Sequence, residues 1–127
     1  MKNIKRLIVA IMIMVVMAVP VNIKAASLVQ ARLFTTNNSS GIFVAQSAVK
    51  NISGTRRYTT NHLYEYNRDN SYNRSSSIEI ILNSGSECAT NMEYSSFCKY
   101  RCRGSVYNSA TPTSGYADDD YDSLNCY

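Results

Sequence analysis

One stretch of the chain, residues 58–66, holds residue types that a small secreted ribonuclease would use: His62 and Glu65, with Arg56 and Arg57 just upstream. A histidine and a carboxylate can act as base and acid, and arginines can hold a phosphate. On a β-strand, however, His62 and Glu65 are separated by an odd number of residues and point to opposite faces. The chain has one histidine, so a two-histidine pair is excluded. We therefore predict no catalytic residues and keep a hydrolase using His62 as the least favoured alternative.

The other chemistry-bearing residues form no recognisable motif either. The acidic run near the C-terminus, with carboxylates at 118–120 and 122, lacks the glycine and distal glutamate of a helix-loop-helix calcium site. No Gly-x-Ser-x-Gly sequence marks a serine nucleophile. The sequence thus predicts no metal, no cofactor and a non-enzymatic function, with the acidic run as a solvated tail.

The four cysteines, Cys88, Cys98, Cys102 and Cys126, predict two disulfides, as an even number in a short exported chain indicates. If Cys98 and Cys102 share a strand, they lie about 13 Å apart, beyond the roughly 7 Å that a disulfide allows between Cα atoms. Two connectivities remain. We prefer Cys88–Cys98 with Cys102–Cys126, which is compact and staples the tail, over Cys88–Cys102 with Cys98–Cys126. The spacings lack the paired Cys-x2-Cys of zinc sites.

The strand that holds these cysteines also predicts a row of positive charge. Alternation along residues 97–107 turns Cys98 and Cys102 inward and the basic residues between and after them outward. With rings from the aromatic-rich strand upstream, the outward residues form the candidate binding surface: Lys99, Arg101, Arg103, Tyr107, Tyr58 and Tyr64. The acidic tail either folds back on this row, which we favour, or leaves it free for an anionic wall polymer or phospholipid surface.

The elements that must position these residues are predicted to be strands. Apolar alternation between turns rich in Gly, Asn and Ser predicts about five of them, at 29–33, 42–49, 56–66, 78–82 and 97–107, with 68–77 as a polar loop. Parallel strands need crossover connections, usually helices, and no amphipathic stretch supplies one. We predict an all-β fold, a small antiparallel sandwich or barrel over 26–117, followed by the acidic tail 118–127 tied back by Cys126.

The N-terminus predicts export. A basic start, an apolar run over 7–19 and small residues before a cut after Ala25 form a secretory signal peptide, residues 1–25. The run spans only about 20 Å against a hydrocarbon core of roughly 30 Å, so we expect no stable membrane anchor after cleavage. Four of the 13 basic residues and none of the nine acidic ones leave with the signal, so the mature net charge is zero. Nucleic acid is therefore not an expected partner.

Residues 45–51, a strand that precedes the turn at Gly54 and then aromatic strands, loosely resemble small secreted β-sandwich bacteriocins of the lactococcin 972 type. The resemblance implies a secreted toxin, which we keep as an alternative. The leading prediction from the residues is a secreted, extracellular, non-enzymatic β domain. We expect it to bind a partner at a cell surface, a wall polymer or a host molecule, because export, cysteines and an aromatic-rich sheet come without a catalytic set.

Overall fold

A computed structural model describes residues 26–125. The predicted signal peptide and Cys126 lie outside this range. Within it the chain forms seven strands and one short 3-10 turn, Pro112–Ser114. The strands are β1 (Val29–Asn37), β2 (Phe43–Asn51), β3 (Arg57–Asn67), β4 (Tyr72–Leu82), β5 (Glu87–Glu93), β6 (Cys98–Tyr107) and β7 (Tyr116–Asn125). None of the helical structure in this range is long and apolar enough to cross a membrane.

The strands form two antiparallel sheets, so the all-β, antiparallel prediction is confirmed and the architecture is a sandwich. One sheet has three strands in the order β1-β2-β5, and the other has four in the order β4-β3-β6-β7. The count of about five strands is wrong. Residues predicted as a polar loop begin β4, residues 87–93 form β5, and most of the predicted acidic tail forms β7.

The hydrophobic core lies between the sheets and consists of alternate residues from facing strands. Val29 and Val49 from the first sheet meet Leu63 and Val106 from the second, and each is at most 1% exposed. The sheets approach most closely at Gly104, where an added Cβ would lie 2.6 Å from Val49 Cγ1. Real carbon atoms do not approach so closely, so the packing here requires the absence of a side chain.

Strand β7 caps the neighbouring edge of the other sheet with carboxylates. Three β1-side backbone N–H groups donate to aspartates of β7: Leu28 to Asp118 at 2.9 Å, Ala31 to Asp120 at 2.8 Å and Leu33 to Asp122 at 2.8 Å. Edge strands present unpaired N–H groups that can template pairing with another chain. The acidic run is thus an ordered part of the sandwich.

The three described cysteines, Cys88, Cys98 and Cys102, are buried, and no disulfide joins any two of them in the structure. The preferred Cys88–Cys98 bridge is not supported. Cys88 lies opposite Val49, which packs on Gly104, and Gly104 is six residues along β6 from Cys98. At 3.3 Å per residue that separation is about 20 Å, well beyond disulfide reach. Cys102 lies only two residues from Gly104 along β6, about 7 Å, and is therefore much nearer to Cys88 than Cys98 is.

Candidate functional site

All six residues of the candidate binding surface lie on one face of the four-stranded sheet. Residues opposite each other in an antiparallel pair share a face, and the register sets Tyr64 against Arg101 on the two central strands. Tyr58 is an even number of residues from Tyr64 along β3, and the other three members are an even number of residues from Arg101 along β6. All six therefore lie on the same face, while the residues between them point into the core. We call this surface the outer face. It also includes His62, Thr60, Tyr66, Ser105, Glu79 and, from β7, Tyr116, Asp119 and Tyr121.

One end of the outer face is a cluster of three tyrosines on three successive strands. Tyr107 lies between Tyr58, at 4.9 Å between ring centroids, and Tyr116, at 4.7 Å. The Tyr116 hydroxyl raises the pKa of Tyr107 to about 12. Tyr58 donates a 2.5 Å hydrogen bond to Glu79, which raises the pKa of Tyr58. Both shifts favour the protonated, hydrogen-bonding form of these phenols.

Arg103, near the middle of the face, is neutralised by the C-terminal strand. Its Nη2 donates to Asp119 at 2.9 Å, and its guanidinium lies over the rings of Tyr116 and Tyr121, at 5.3 and 5.7 Å. Although burial lowers it, the bond to Asp119 leaves the pKa of Arg103 raised overall. The predicted folding-back of the acidic run onto the basic row is realised in this pair alone among residues 26–125.

Lys99 and Arg101 occupy the other end of the face and have no such partner. No carboxylate of the described chain lies within 4.0 Å of either charge. Lys99 Nζ donates to Asn70 Oδ1 at 3.0 Å, and the Arg101 guanidinium lies 5.5 Å from the centroid of the Tyr66 ring. These contacts hold both side chains in place without cancelling their charge.

His62 and Glu65 lie on opposite sides of the sheet, as strand alternation predicts. His62 stacks on Tyr64 on the outer face, with centroids 6.0 Å apart. Glu65 points into the sandwich and is 2% exposed. The pairing of β3 with β4 has one irregularity: Asn73 is an extra residue on β4, between the partners of Glu65 and Tyr66. It therefore does not alter the alternation of His62 and Glu65 along β3. They cannot serve one substrate as an acid–base pair.

The Glu65 carboxylate accepts four hydrogen bonds, all from the strands on either side of it in its own sheet. It accepts bonds from Arg74 Nε at 2.9 Å and Nη2 at 3.1 Å, from Asn73 at 2.5 Å and from the Tyr100 hydroxyl at 2.7 Å. Arg74 also donates to the Glu93 carbonyl at the end of β5. Burial raises the pKa of Glu65, but the bonds from Arg74 and Tyr100 outweigh it and leave the pKa lowered. This arrangement is structural.

Two buried hydroxyls on the outer face were not found from the sequence. Thr60 and Ser105 lie opposite each other on β3 and β6 and are 2% and 1% exposed. Neither side-chain oxygen has a hydrogen-bond partner, which normally costs free energy. Their positions carry the same parity as the tyrosines beside them, but Ser and Thr are too common in this chain to stand out. No sequence signal distinguishes them.

The described part of the chain contains no set of side chains that could bind a metal ion. Residues 26–125 contain no group of three or more His, Cys, Asp or Glu side chains arranged to hold an ion. Of the four aspartates in the acidic run, Asp118, Asp120 and Asp122 accept backbone N–H groups of the β1 segment, and Asp119 pairs with Arg103.

Comparison with known proteins adds little to this geometry. No protein-family model and no curated protein sequence matches the chain. Among solved structures, the solution structure of CsgH from R. palustris is similar, with a TM-score of 0.45 and 13% sequence identity, covering 76% of this chain and 91% of CsgH. A likeness of this degree carries no argument about function, so the proposal below depends on the chain's own residues.

Proposed function

We propose that the mature chain is a secreted, non-enzymatic β domain that binds a partner at a cell surface, a wall polymer or a host molecule through its outer face. One observation carries the proposal. The two central strands present cations and tyrosine rings side by side on one face, with Tyr64 opposite Arg101. Tyrosine and arginine are the residue types enriched where proteins bind partners.

The position of the face on central strands supports a role in recognition. β3 and β6 are hydrogen-bonded on both sides, and their inward residues Leu63 and Tyr100 are fully buried. Side chains on such strands keep their relative positions without a partner, which lowers the entropic cost of binding. A loop-borne surface would have to be ordered first.

The test is binding of the purified mature chain to isolated cell-wall polymer and to intact cells, measured by co-sedimentation. Tyr64→Ala removes a ring from the centre of the outer face and should reduce binding at least fivefold. Phe43→Ala is the matched control, because Phe43 is an aromatic residue, 48% exposed, on the other sheet. Equal binding by both variants and the wild type would rule out the outer face as the binding surface.

The hydrolase alternative is tested on the same preparations. Wild type and His62→Ala are incubated with RNA and with wall polymer, and product release is measured. We expect no release by either protein. Turnover that disappears in His62→Ala would overturn the non-enzymatic proposal.

Export and cross-linking are tested on the natural product. Intact-mass analysis should show a chain that begins after Ala25 and is four hydrogens lighter than the fully reduced form. We further propose the second connectivity, because Cys102 lies two residues from Gly104 and Cys98 six. Peptide mapping without reduction should recover Cys88 joined to Cys102. A Cys88–Cys98 peptide would contradict the sandwich geometry.

A further inference from the structure

The charge of the outer face is unevenly distributed, and this asymmetry bears on the ligand. Asp119 neutralises Arg103, and the Glu79 carboxylate keeps its negative charge while it accepts from the neutral Tyr58, so the half that contains the tyrosine cluster carries no excess positive charge. Lys99 and Arg101 place two positive charges at the other end, and no carboxylate of residues 26–125 lies within 4.0 Å of either. They are two residues apart on β6, about 7 Å along the strand.

Arg101 separates two shallow depressions. One, with a volume of about 40 Å³, is lined by Tyr66, Asn70, Lys99 and Arg101. The other, with a volume of about 350 Å³, is lined by Arg101, Cys102, Tyr121, Asp122 and Ser123. Each depression has one tyrosine, and both share the arginine. Tyr66 and Tyr121 lie on β3 and β7, two strands apart, so roughly 10 Å separates their strands.

We propose that this end of the outer face binds an anionic polysaccharide, with Arg101 holding a carboxylate or phosphate group of the polymer between rings seated against Tyr66 and Tyr121. The inference rests on the proposed function and names the ligand class of the same face. Lys99, which lines the first depression together with Arg101, provides a second cation for the next anionic group.

The side chains present fit this ligand chemistry. A tyrosine ring offers an apolar surface and a polar edge, as a sugar ring does. The Arg101 guanidinium, oriented over Tyr66 at 5.5 Å, can donate two parallel bonds to one carboxylate or phosphate. Asp122 also lines the second depression, but its carboxylate is turned toward β1, and its two oxygens accept the N–H groups of Leu33 and Ser123 at 2.8 and 2.9 Å.

Nucleic acid fits the face less well. A polyanion running along β6 would leave the two cations and meet the carboxylate of Asp119, which flanks Arg103. The mature chain, with nine basic and nine acidic residues, supplies no general attraction for a polyanion. The binding site is therefore matched to spaced anionic groups over a short span.

The experiment compares two forms of one polymer. Binding of the mature chain to polygalacturonate and to its fully methyl-esterified form is measured by titration calorimetry at low ionic strength. We expect polygalacturonate to bind at least tenfold more tightly. A phosphorylated dextran beside plain dextran serves as the phosphate arm, and the tighter of the two anionic polymers identifies the preferred group.

Variants connect that preference to the site. Arg101→Gln and Lys99→Gln should each weaken binding of the preferred anionic polymer about 5- to 10-fold, and Tyr121→Ala should weaken it without abolishing the preference for the charged form. Arg32→Gln is the control. It removes the same charge from the other sheet, where Arg32 pairs with Glu87, and should stay within twofold of the wild type.

Several results would overturn the inference. Equal binding of charged and esterified polymer, or equal loss in Arg101→Gln and Arg32→Gln, would show that Arg101 does not recognise an anion. Tighter binding of DNA or of anionic phospholipid vesicles than of either anionic polymer would show that the ligand class is wrong. In each of these cases, binding to cell-wall polymer that is weakened by Tyr64→Ala would still support the outer face as a binding surface. If Tyr64→Ala had no effect either, both the proposed function and this inference would be wrong.

Discussion

Replacing Glu65 with glutamine tests how much the buried, ionised carboxylate stabilises the sandwich. Each oxygen of Glu65 accepts two donors: Asn73 and Arg74 Nε on one, Arg74 Nη2 and the Tyr100 hydroxyl on the other. A glutamine amide turns one of these acceptors into a donor. The less costly orientation points the amide nitrogen at Asn73 and Arg74, because both are solvent-exposed and can bond to water instead. The amide oxygen then still accepts from the Tyr100 hydroxyl, which is fully buried.

The magnitude follows from what Glu65→Gln removes. The ion pair with Arg74 is lost, and an amide N–H is left among donors at a site that is 2% exposed. Breaking a buried pair costs about 3–5 kcal/mol, and the half-exposed arginine recovers part of this in water. We expect a loss of about 2–4 kcal/mol of unfolding free energy, or roughly 1–2 M in the urea midpoint for a chain of this size.

The assay is urea unfolding followed by circular dichroism, at neutral pH and at pH 3. Because the pKa of Glu65 in the fold is below its ordinary 4.5, its stabilising contribution is present above 4.5 and is lost as the pH falls through the folded value. The difference between wild type and Glu65→Gln should therefore shrink in acid. Glu87→Gln, in an exposed pair with Arg32, should cost under about 1 kcal/mol at either pH.

A Glu65→Gln protein within about 1 kcal/mol of the wild type would refute this reasoning. A difference that stays constant from pH 7 to pH 3 would refute it as well. The first result would show that the four bonds are worth no more than their solvated counterparts, and the second that the ionised carboxylate is not the stabilising form.

Three further substitutions test other parts of the sandwich in the same unfolding assay. Asp120→Ala leaves the Ala31 N–H unpaired and should cost about 1–3 kcal/mol, whereas Asp120→Asn keeps a carbonyl acceptor and should cost less; equal losses would contradict the capping role. Gly104→Ala should cost about 1–3 kcal/mol by overpacking against Val49, and a neutral result would show that the sheets can separate there. Thr60→Val removes an unpaired hydroxyl and should be neutral or stabilising, so a loss above about 1 kcal/mol would reveal a hydrogen-bond partner for that oxygen.

The fold class could be predicted from the sequence because four of the strands contain clear apolar alternation. β5 is different. Its inward positions are Cys88, Thr90 and Met92, and a threonine at the centre of the buried side hides the period of two. The predicted fourth strand is shorter than β4 for a similar reason. The inward side chains in the first half of β4 are Arg74, which bonds to Glu65 and Glu93, and Ser76, which bonds to Thr90. Polar residues that pair across the sandwich leave no hydrophobic pattern.

The common face of the six candidate residues was easier to predict than the strands around it, whereas binding by that face stays a prediction. It depends only on alternation within β3 and β6, which are long and regular, and on antiparallel pairing between them. The contribution of β7 could not be predicted. Tyr116 and Tyr121 join the outer face through pairing between β6 and β7, and an acidic segment gives no propensity signal for a strand.

A single extra residue decides the charge of the outer face. The pairing of β6 with β7 shifts between Val106 and Tyr107, which leaves Ala117 as a bulge. A one-residue shift in register moves every following side chain to the other face of a sheet. Without the bulge, the aspartates at 118, 120 and 122 would lie on the outer face beside Arg101 and Arg103 and neutralise both. With it, they cap the backbone of β1, and one aspartate alone reaches the basic row. The two charges on which the ligand proposal depends are thus a consequence of strand register, which composition and charge counts do not contain.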